Sequence, residues 1–526
     1  MKAKTWLSGW IFTVGIGLCF ICFCVYKVDP YFHYHKPDIE SYYYSLTGQR
    51  KINNGIVRHF DYDAIITGTS MTENFKTSEM DKIFGCHSVK IPFSGGTYKE
   101  VNDHIETALA SNSNVKFIVR GLDERMLDDQ WDSMRNDLGV YPTYLYDSNP
   151  FNDVNYLLNK DILFIKVYNM VRNANQSGFH SGIDSFDNYS RWQDRYTFGK
   201  NAVFSKPSQN NNSGKNNELT EEDKAIIKEN IEKNVTNTAD KHPDVDFYLF
   251  YTPYGIAKWN EYKTSGMLKR FLETISYATE LIVPHKNIHL YLFNNRTDII
   301  TDLNNYKDAS HYAEWINSLM LKWMHDGDWL LTEDNYHEAL QKQYDFYTTY
   351  DYTSLENQED YEADYYAAAL LNQELTGAKP INLLNSKKSD IKINESTAIE
   401  KREKITGIKC SYSSAEKNNT KDFMSYAVEG EYPAVKINVS VDKSYKYLTL
   451  YAKKDCAFSS AYAYIYDQNG DIVNRYAINA SDTEKHQYCF ALSPIGGNVT
   501  IVLTCVVPEN SETSESEYQF TDLFLY

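Results

Sequence analysis

Beyond its N-terminus the 526-residue chain has no long apolar run, no block of lysine and arginine, no Cys-x-x-Cys pair and no His/Cys cluster at zinc-ligand spacing. The missing basic block excludes a phosphate-backbone binder, since such affinity comes from neutralising phosphates. The net charge of −18, from 53 basic and 71 acidic residues, argues the same way, and no nucleic-acid partner is expected. The missing cysteine and histidine clusters leave no metal site to expect. Gly214-Lys215 is followed by Asn216 and lacks the upstream glycine spacing, so it is not a phosphate loop. No nucleotide or other cofactor is called for.

A hydrophobic content of 42% is enough to fill cores, and at about 100 to 200 residues per domain the length allows two or three folded units. The 44 Tyr, 25 Phe and 8 Trp bring aromatics to 15%. That excess suits stacking on sugars, or it reflects a coding bias toward Tyr, Asn, Lys and Ile.

Thr5 to Tyr26 contains 22 uncharged residues. As a helix it extends about 33 Å, enough for a hydrocarbon core of about 30 Å. Lys2 and Lys4 before it favour a cytoplasmic N-terminus, and Trp6, Trp10 and Tyr26 sit near its ends, where interfacial aromatics belong. A cleaved signal peptide is the competing reading, but no small-x-small site follows the apolar run. The expectation is a single-pass anchor over 5–26 with the bulk of the chain extracytoplasmic. Cys19, Cys22 and Cys24 fall inside the span, and Cys86 stands alone. Cys410, Cys456, Cys489 and Cys505 allow up to two disulfides of undetermined pairing, or four buried thiols.

Residues 27–60, with Asp29-Pro30-Tyr31-Phe32-His33-Tyr34-His35-Lys36-Pro37 near their start, read as an extended aromatic stalk. Over 61–325, short apolar runs at Asp63 to Thr67, Ser88 to Ile91, Val115 to Val119, Asp246 to Tyr251 and Ile288 to Phe293 predict buried strands. Helical segments at Thr72 to Phe84, Lys99 to Ala110, Gly266 to Leu281 and His311 to Met324 alternate with them, predicting an α/β unit with a five-stranded parallel sheet between helical layers. An insertion over 121–245 carries a helical piece, Asn152 to Arg172, and a polar loop at 208–217. A helical connector is expected over 326–385. Over 386–526 the period switches to two, and turn signals such as Asn469-Gly470 predict an all-β sandwich. It would bind carbohydrate through exposed tyrosines, or act as a spacer.

The first strand ends in Gly68-Thr69-Ser70-Met71-Thr72-Glu73-Asn74, placing a serine at the carboxyl edge of a parallel sheet, where ligands of such sheets bind. Ser70 is either a nucleophile or a helix cap. The second strand runs into Phe93-Ser94-Gly95-Gly96, a turn whose backbone N–H can approach a substrate oxygen. The third ends in Arg120-Gly121-Leu122-Asp123, and Asp308-Ala309-Ser310-His311 follows the fifth. Asp and His three residues apart can couple, so that serine, base and orienting carboxylate would converge. Tyr254, after the fourth strand, reads as a wall of the same cleft or as a plain aromatic loop. His33 and His35 read as packing residues rather than metal ligands.

These ordered blocks resemble the SGNH (GDSL-type) hydrolase superfamily over about residues 60 to 325. The anchored layout is similar to the cell-envelope branch that includes the teichoic-acid D-alanylation protein and the alginate-type O-acetyltransferases. The resemblance implies Ser70 as nucleophile, His311 as general base, Asp308 as its orienting acid, and the Ser70 and Gly95 N–H groups as oxyanion donors. It departs where the superfamily has an Asn after strand three and this chain has Asp123. An ionised carboxylate would repel an oxyanion, so Asp123 must be protonated, turned toward Arg120 or Arg125, or outside the hole. Asn74 is a candidate substitute donor, or an exposed helix residue. The implied function is a serine acyl-esterase or O-acyltransferase acting on cell-envelope polysaccharide or teichoic acid, with an integral-membrane acyl-donor protein as partner. The alternative is a non-catalytic carbohydrate-binding or assembly protein on the same scaffold. The overall acidity points to neutral sugar hydroxyls or esters in an aromatic cleft, rather than to an anionic polymer.

Overall fold

A computed structural model describes residues 3–193, 196, 198–205 and 218–357, and beyond them the strands between 381 and 526 with Tyr526. The expected polar loop at 208–217 lies outside the described residues. The chain divides into two compact units, Met1–Glu362 and Ala363–Tyr526.

Helix α1 (Ala3–Val28) is long and apolar enough to cross a membrane, with a mean hydropathy of 2.2. The segment after it is folded, not the extended stalk its sequence predicts. Asp29, Tyr31, Phe32 and His33 are buried, and the chain turns at once through positive φ at Asp29 and Phe32. The Asp29 carboxylate drives the turn by accepting the backbone N–H groups of His33, Tyr34 and His35 and the hydroxyl of Tyr156. Unpaired N–H groups at such a bend would be costly to bury, and one carboxylate satisfies three of them. Helix α2 (Gln49–His59) then crosses directly over this knot. A Cβ on Gly55 would lie 2.4 Å from the Tyr31 carbonyl oxygen and 2.5 Å from that of Phe32.

The central sheet comprises β1 (Ala64–Gly68), β2 (Ser88–Pro92), β3 (Phe117–Leu122), β4 (Asp246–Tyr251), β5 (Ile288–Leu292) and β6 (Leu330–Leu331). Their spatial order is β2-β1-β3-β4-β5-β6. The first five are mutually parallel, as their apolar runs predict, but the sheet has six strands rather than five. The addition is the two-residue β6, antiparallel to β5, too short to leave a period-two signal.

Helices α3 (Thr77–Phe84), α4 (Tyr98–Ser111), α5 (Glu221–Ile231), α6 (Leu268–Ile282), α7 (Glu314–Asp326) and α8 (Tyr336–Thr349) form two packed groups. One pairs α3 with α7, and the other runs from α2 through α4 and on through α5 and α6 to α8. The helix expected from Thr72 is instead a 3-10 turn, Ser70–Thr72, with α3 beginning at Thr77. Lys90 on β2 explains the break. Its buried ammonium donates to the carbonyls of Glu73 and Phe75, oxygens that a continuous helix would use in its own ladder, and to that of Asp187.

The C-terminal unit is built of strands. One sheet orders Ile391–Glu395, Ala434–Val441, Gly497–Val506, Ser460–Tyr466 and Ile472–Ile478, all antiparallel. The other orders Asn419–Ser425, Ile408–Ser414, Ser516–Leu525, Tyr447–Lys454 and His486–Ala491, with Ile381–Asn382 on Ser516–Leu525. The pair Ile408–Ser414 with Ser516–Leu525 is parallel. The side chains of Cys410, Cys456, Cys489 and Cys505 lie outside the described residues.

Gly55 tests the knot beneath α2. Gly55→Ala is expected to destabilise the protein by about 2 kcal/mol or more through forced overpacking, read as a lower midpoint in thermal or urea unfolding. An unchanged midpoint would show that α2 can lift from the Tyr31–Phe32 backbone without loss.

Candidate active site

Every loop singled out by the sequence leaves the carboxyl edge of the sheet, because five parallel strands deliver their following turns to one side. Gly68, the last residue of β1, has φ +143 and sits where a Cβ would approach Thr72 Cγ2 to 2.7 Å, so only glycine lets the chain turn here. Thr69 caps the turn, its hydroxyl accepting from Met71 N, and Thr72 Oγ1 donates back to the Thr69 carbonyl at 2.9 Å. Thr69 therefore takes the capping role, and the Ser70 hydroxyl is left to point elsewhere.

It points at His311. Ser70 Oγ lies 2.8 Å from His311 Nε2, and His311 Nδ1 lies 2.9 Å from both Asp308 oxygens. An ionised carboxylate only accepts, so Nδ1 carries the proton facing Asp308 and Nε2 is left to accept the Ser70 hydroxyl. Asp308 also accepts the backbone N–H groups of Ser310 and His311. Burial alone would raise its pKa, but these hydrogen bonds and the imidazole hold it well below the usual carboxylate range. The turn bearing Ser70 is tied to the segment after His311, with Tyr312 OH and Asn317 Nδ2 each donating to the Met71 carbonyl at 3.1 Å.

Ser70 and His311 open onto a cleft of about 970 Å3 that Gly95 also lines. Gly95 has φ +59, and its carbonyl accepts from Arg135 Nη1 at 2.9 Å.

The remaining expected site residues lie elsewhere. Asp123 is buried, its two carboxylate oxygens accepting from the hydroxyls of Thr69 and Tyr254, so it braces the Ser70 turn from behind and does not face the cleft. Arg120 donates to the carbonyls of Asn234 and Tyr98 rather than to Asp123. Tyr254 is likewise buried behind the turn, which corrects its reading as a cleft wall. Asn74 is neither exposed nor in the cleft; its Oδ1 accepts the Trp192 backbone N–H at 3.0 Å.

Trp192 was not legible in the sequence. Its indole N–H donates to the Ser70 carbonyl at 3.3 Å and its ring meets His311 edge-on, with centroids 5.7 Å apart. Lys307 Nζ lies over the rings of Trp192 and Tyr196, 4.4 and 3.9 Å from their centroids, and 3.6 Å from Asp308. The cleft is aromatic, as the composition led one to expect, with Tyr141, Tyr144, Trp192 and Tyr196 in its lining. Its charge is not that of the whole chain: Arg50, Lys51, Arg135 and Lys307 line it against one carboxyl, Glu73. The carboxylates that pair with three of these cations, Glu100, Asp137 and Asp308, are absent from the lining. Among the described residues no group of three or more His, Cys, Asp or Glu could hold a metal ion.

No family model matches the chain, and no curated protein matches it in sequence. Solved structures similar to it include one described as a platelet activating factor of Streptococcus pneumonia, 11% identical with a TM-score of 0.27, covering 53% of this chain and 90% of that one. A two-domain esterase active on acetylated mannans is 9% identical with a TM-score of 0.20, covering 88% of this chain and 89% of the other. The CBM51-2 and INT domains of Clostridium perfringens ZmpB are 13% identical with a TM-score of 0.16, covering 28% of this chain and 31% of theirs. At these identities and scores the likenesses carry no argument about activity, which rests on the geometry above.

Glu73 makes the cleft pH-sensitive. Burial pushes its carboxyl up to about 7, against the stabilising contact of Gln49 Nε2 at 2.5 Å and the charges of Lys90 and Lys307. The folded chain therefore holds a proton that the unfolded chain loses near pH ~4.3, and this group's effect on stability becomes less favourable as pH rises from about 4.5 through about 7. Glu73→Gln removes that loss. The stability of Glu73→Gln minus that of the native chain is expected to grow by roughly 2–3 kcal/mol between pH 5 and pH 8 in paired urea titrations. A difference constant with pH would show that Glu73 ionises normally.

Proposed function

We propose that this is a membrane-anchored, extracytoplasmic serine acyl-esterase or O-acyltransferase of SGNH type, acting on a cell-envelope polysaccharide or teichoic acid. The observation that carries the reading is the continuous hydrogen-bonded chain from Ser70 through His311 to Asp308 at the mouth of an aromatic cleft. Ser70 Oγ attacks an acyl carbonyl while His311 Nε2 takes its proton, and Asp308 stabilises the imidazolium that forms. The N–H groups of Ser70 and Gly95 receive the charge that develops on the carbonyl oxygen. As the ester bond breaks, His311 returns the proton to the leaving alkoxide. A water or a sugar hydroxyl then takes the acyl group from Ser70, its own proton passing to His311 and from there to Ser70 Oγ as the acyl–enzyme bond breaks. No metal or nucleotide enters these steps.

Two observations refine the reading. With Asp123 held by Thr69 and Tyr254 behind the Ser70 turn, its carboxylate does not oppose the oxyanion, which weighs against a purely binding role. The cationic lining favours an anionic envelope polymer over neutral sugars, since Arg50, Lys51, Arg135 and Lys307 line the cleft against the single carboxyl of Glu73. In the transferase form, an integral-membrane protein supplies the acyl group. We read the two C-terminal sheets as a sandwich that holds the polymer or spaces the catalytic unit.

The test is incubation of the full chain in detergent with p-nitrophenyl acetate and with a fluorophosphonate probe. Ser70 is expected to carry the label, and Ser70→Ala and His311→Ala to lower kcat/KM by roughly 1000-fold or more. Neither turnover nor label in the native chain sinks the enzyme reading. Label without release to water separates transfer from hydrolysis.

A further inference from the structure

The chain leaves α1 without a linker, and this fixes what must lie at the membrane surface. Asp29 is buried in the knot, and the folded unit climbs back along the helix it follows. Ile21, Cys22, Cys24, Val25 and Val28 are partly or wholly covered, whereas Ala3 to Phe20 is exposed except for Gly15, which is partly covered. The covering segments are Val154–Leu157 and the turn Ile162–Val167. The exposed stretch of 18 residues measures only about 27 Å as a helix, short of a hydrocarbon core of about 30 Å. To immerse the whole uncharged run through Tyr26, the bilayer must rise to the level of the segments packed beside Ile21 to Val25.

Those segments are built for that depth. Phe151 is 89% exposed and Phe164 65%, and Val154, Ile165, Tyr168 and Val171 are exposed beside them. Exposed apolar side chains at this density on a soluble surface mark an interaction site. Within 151–171 the charges are Lys160 and Lys166 against Asp161, with Asp153 buried, and Arg172 follows directly, so the exposed charges are basic in balance within a chain of net charge −18. An apolar face with flanking lysine and arginine is the pattern of a segment lying in the plane of an anionic bilayer surface. We infer that residues 151–171 form an interfacial foot that inserts its apolar side chains into the bilayer beside α1 and holds the folded unit against the membrane. The inference rests on the reading of α1 as a membrane span. The occupant is lipid, because continuity with α1 places the foot where lipid must already be.

The experiment uses the full chain reconstituted in vesicles of phosphatidylcholine and phosphatidylglycerol, with p-benzoylphenylalanine placed in separate variants at Phe151, Phe164, Phe12 and Tyr344. Phe12 lies on the exposed face of α1, and Tyr344 is an exposed aromatic on α8, away from the foot. After irradiation, lipid adducts are read by mass spectrometry. Adducts at Phe151 and Phe164 are expected to approach those at Phe12 and to exceed those at Tyr344 by roughly fivefold or more. Adducts at Phe12 with none above the Tyr344 level at Phe151 and Phe164 overturn the foot and leave the span standing. No adduct at Phe12 removes the span and the foot together. Chain-to-chain adducts at Phe164 overturn the foot in favour of contact between two copies.

Discussion

A single buried ammonium, that of Lys90, joins the parts on which the site depends. It sits on β2 with no exposure, and its three donated hydrogen bonds reach two carbonyls of the turn after Ser70 and one of the insertion, at Asp187. Burial lowers its pKa to about 7, partly offset by the charges of Asp187, Glu73 and Glu314. Holding a cation there is costly, and the three carbonyl oxygens that accept its hydrogen bonds offset part of that cost. The same contacts stop the helix from starting at Ser70 and leave that serine on a short, rigid turn.

The insertion between β3 and β4 is part of the site rather than an appendage. Asp187 accepts from Thr77 Oγ1, Ser78 N and Ser78 Oγ, so the insertion supplies the cap that Lys76 does not provide to α3. Arg191 Nε meets the buried Glu314 at 2.5 Å, fixing the middle of the insertion to the start of α7. Trp192 follows directly and closes over Ser70 and His311. Electrostatics separate in the same way. Acidic groups dominate the whole chain, while the cleft gathers cations whose carboxylate partners lie outside its lining, so the charge a ligand meets is not the one that net charge describes.

The five parallel strands were readable because buried parallel strands are nearly continuous apolar runs, and the edge at which Ser70, Gly95 and His311 meet follows from that topology. The faults arose where a side chain's direction mattered. Asp123 and Tyr254 stand at the right edge of the sheet yet turn toward each other beneath Thr69. Asn74 holds the Trp192 backbone. The segment after α1 looked like a stalk because its aromatics carry no period, and only the burial of Asp29 against Tyr156, more than a hundred residues away, shows it folded.

Sequence alone determined the membrane-length helix and the order of the five parallel strands, and it offered Ser70, His311 and Asp308 as candidates, with their roles implied by a family resemblance. The helix and the strands are local properties of apolar length and period. The tertiary structure decided that Asp308 faces the Ser70–His311 pair while Asp123 stands behind the turn, what charge the cleft presents, and that Val154–Leu157 and Ile162–Val167 pack beside α1. These depend on pairs of residues far apart in the chain, whose meeting is set by packing and by the need to satisfy buried donors and acceptors.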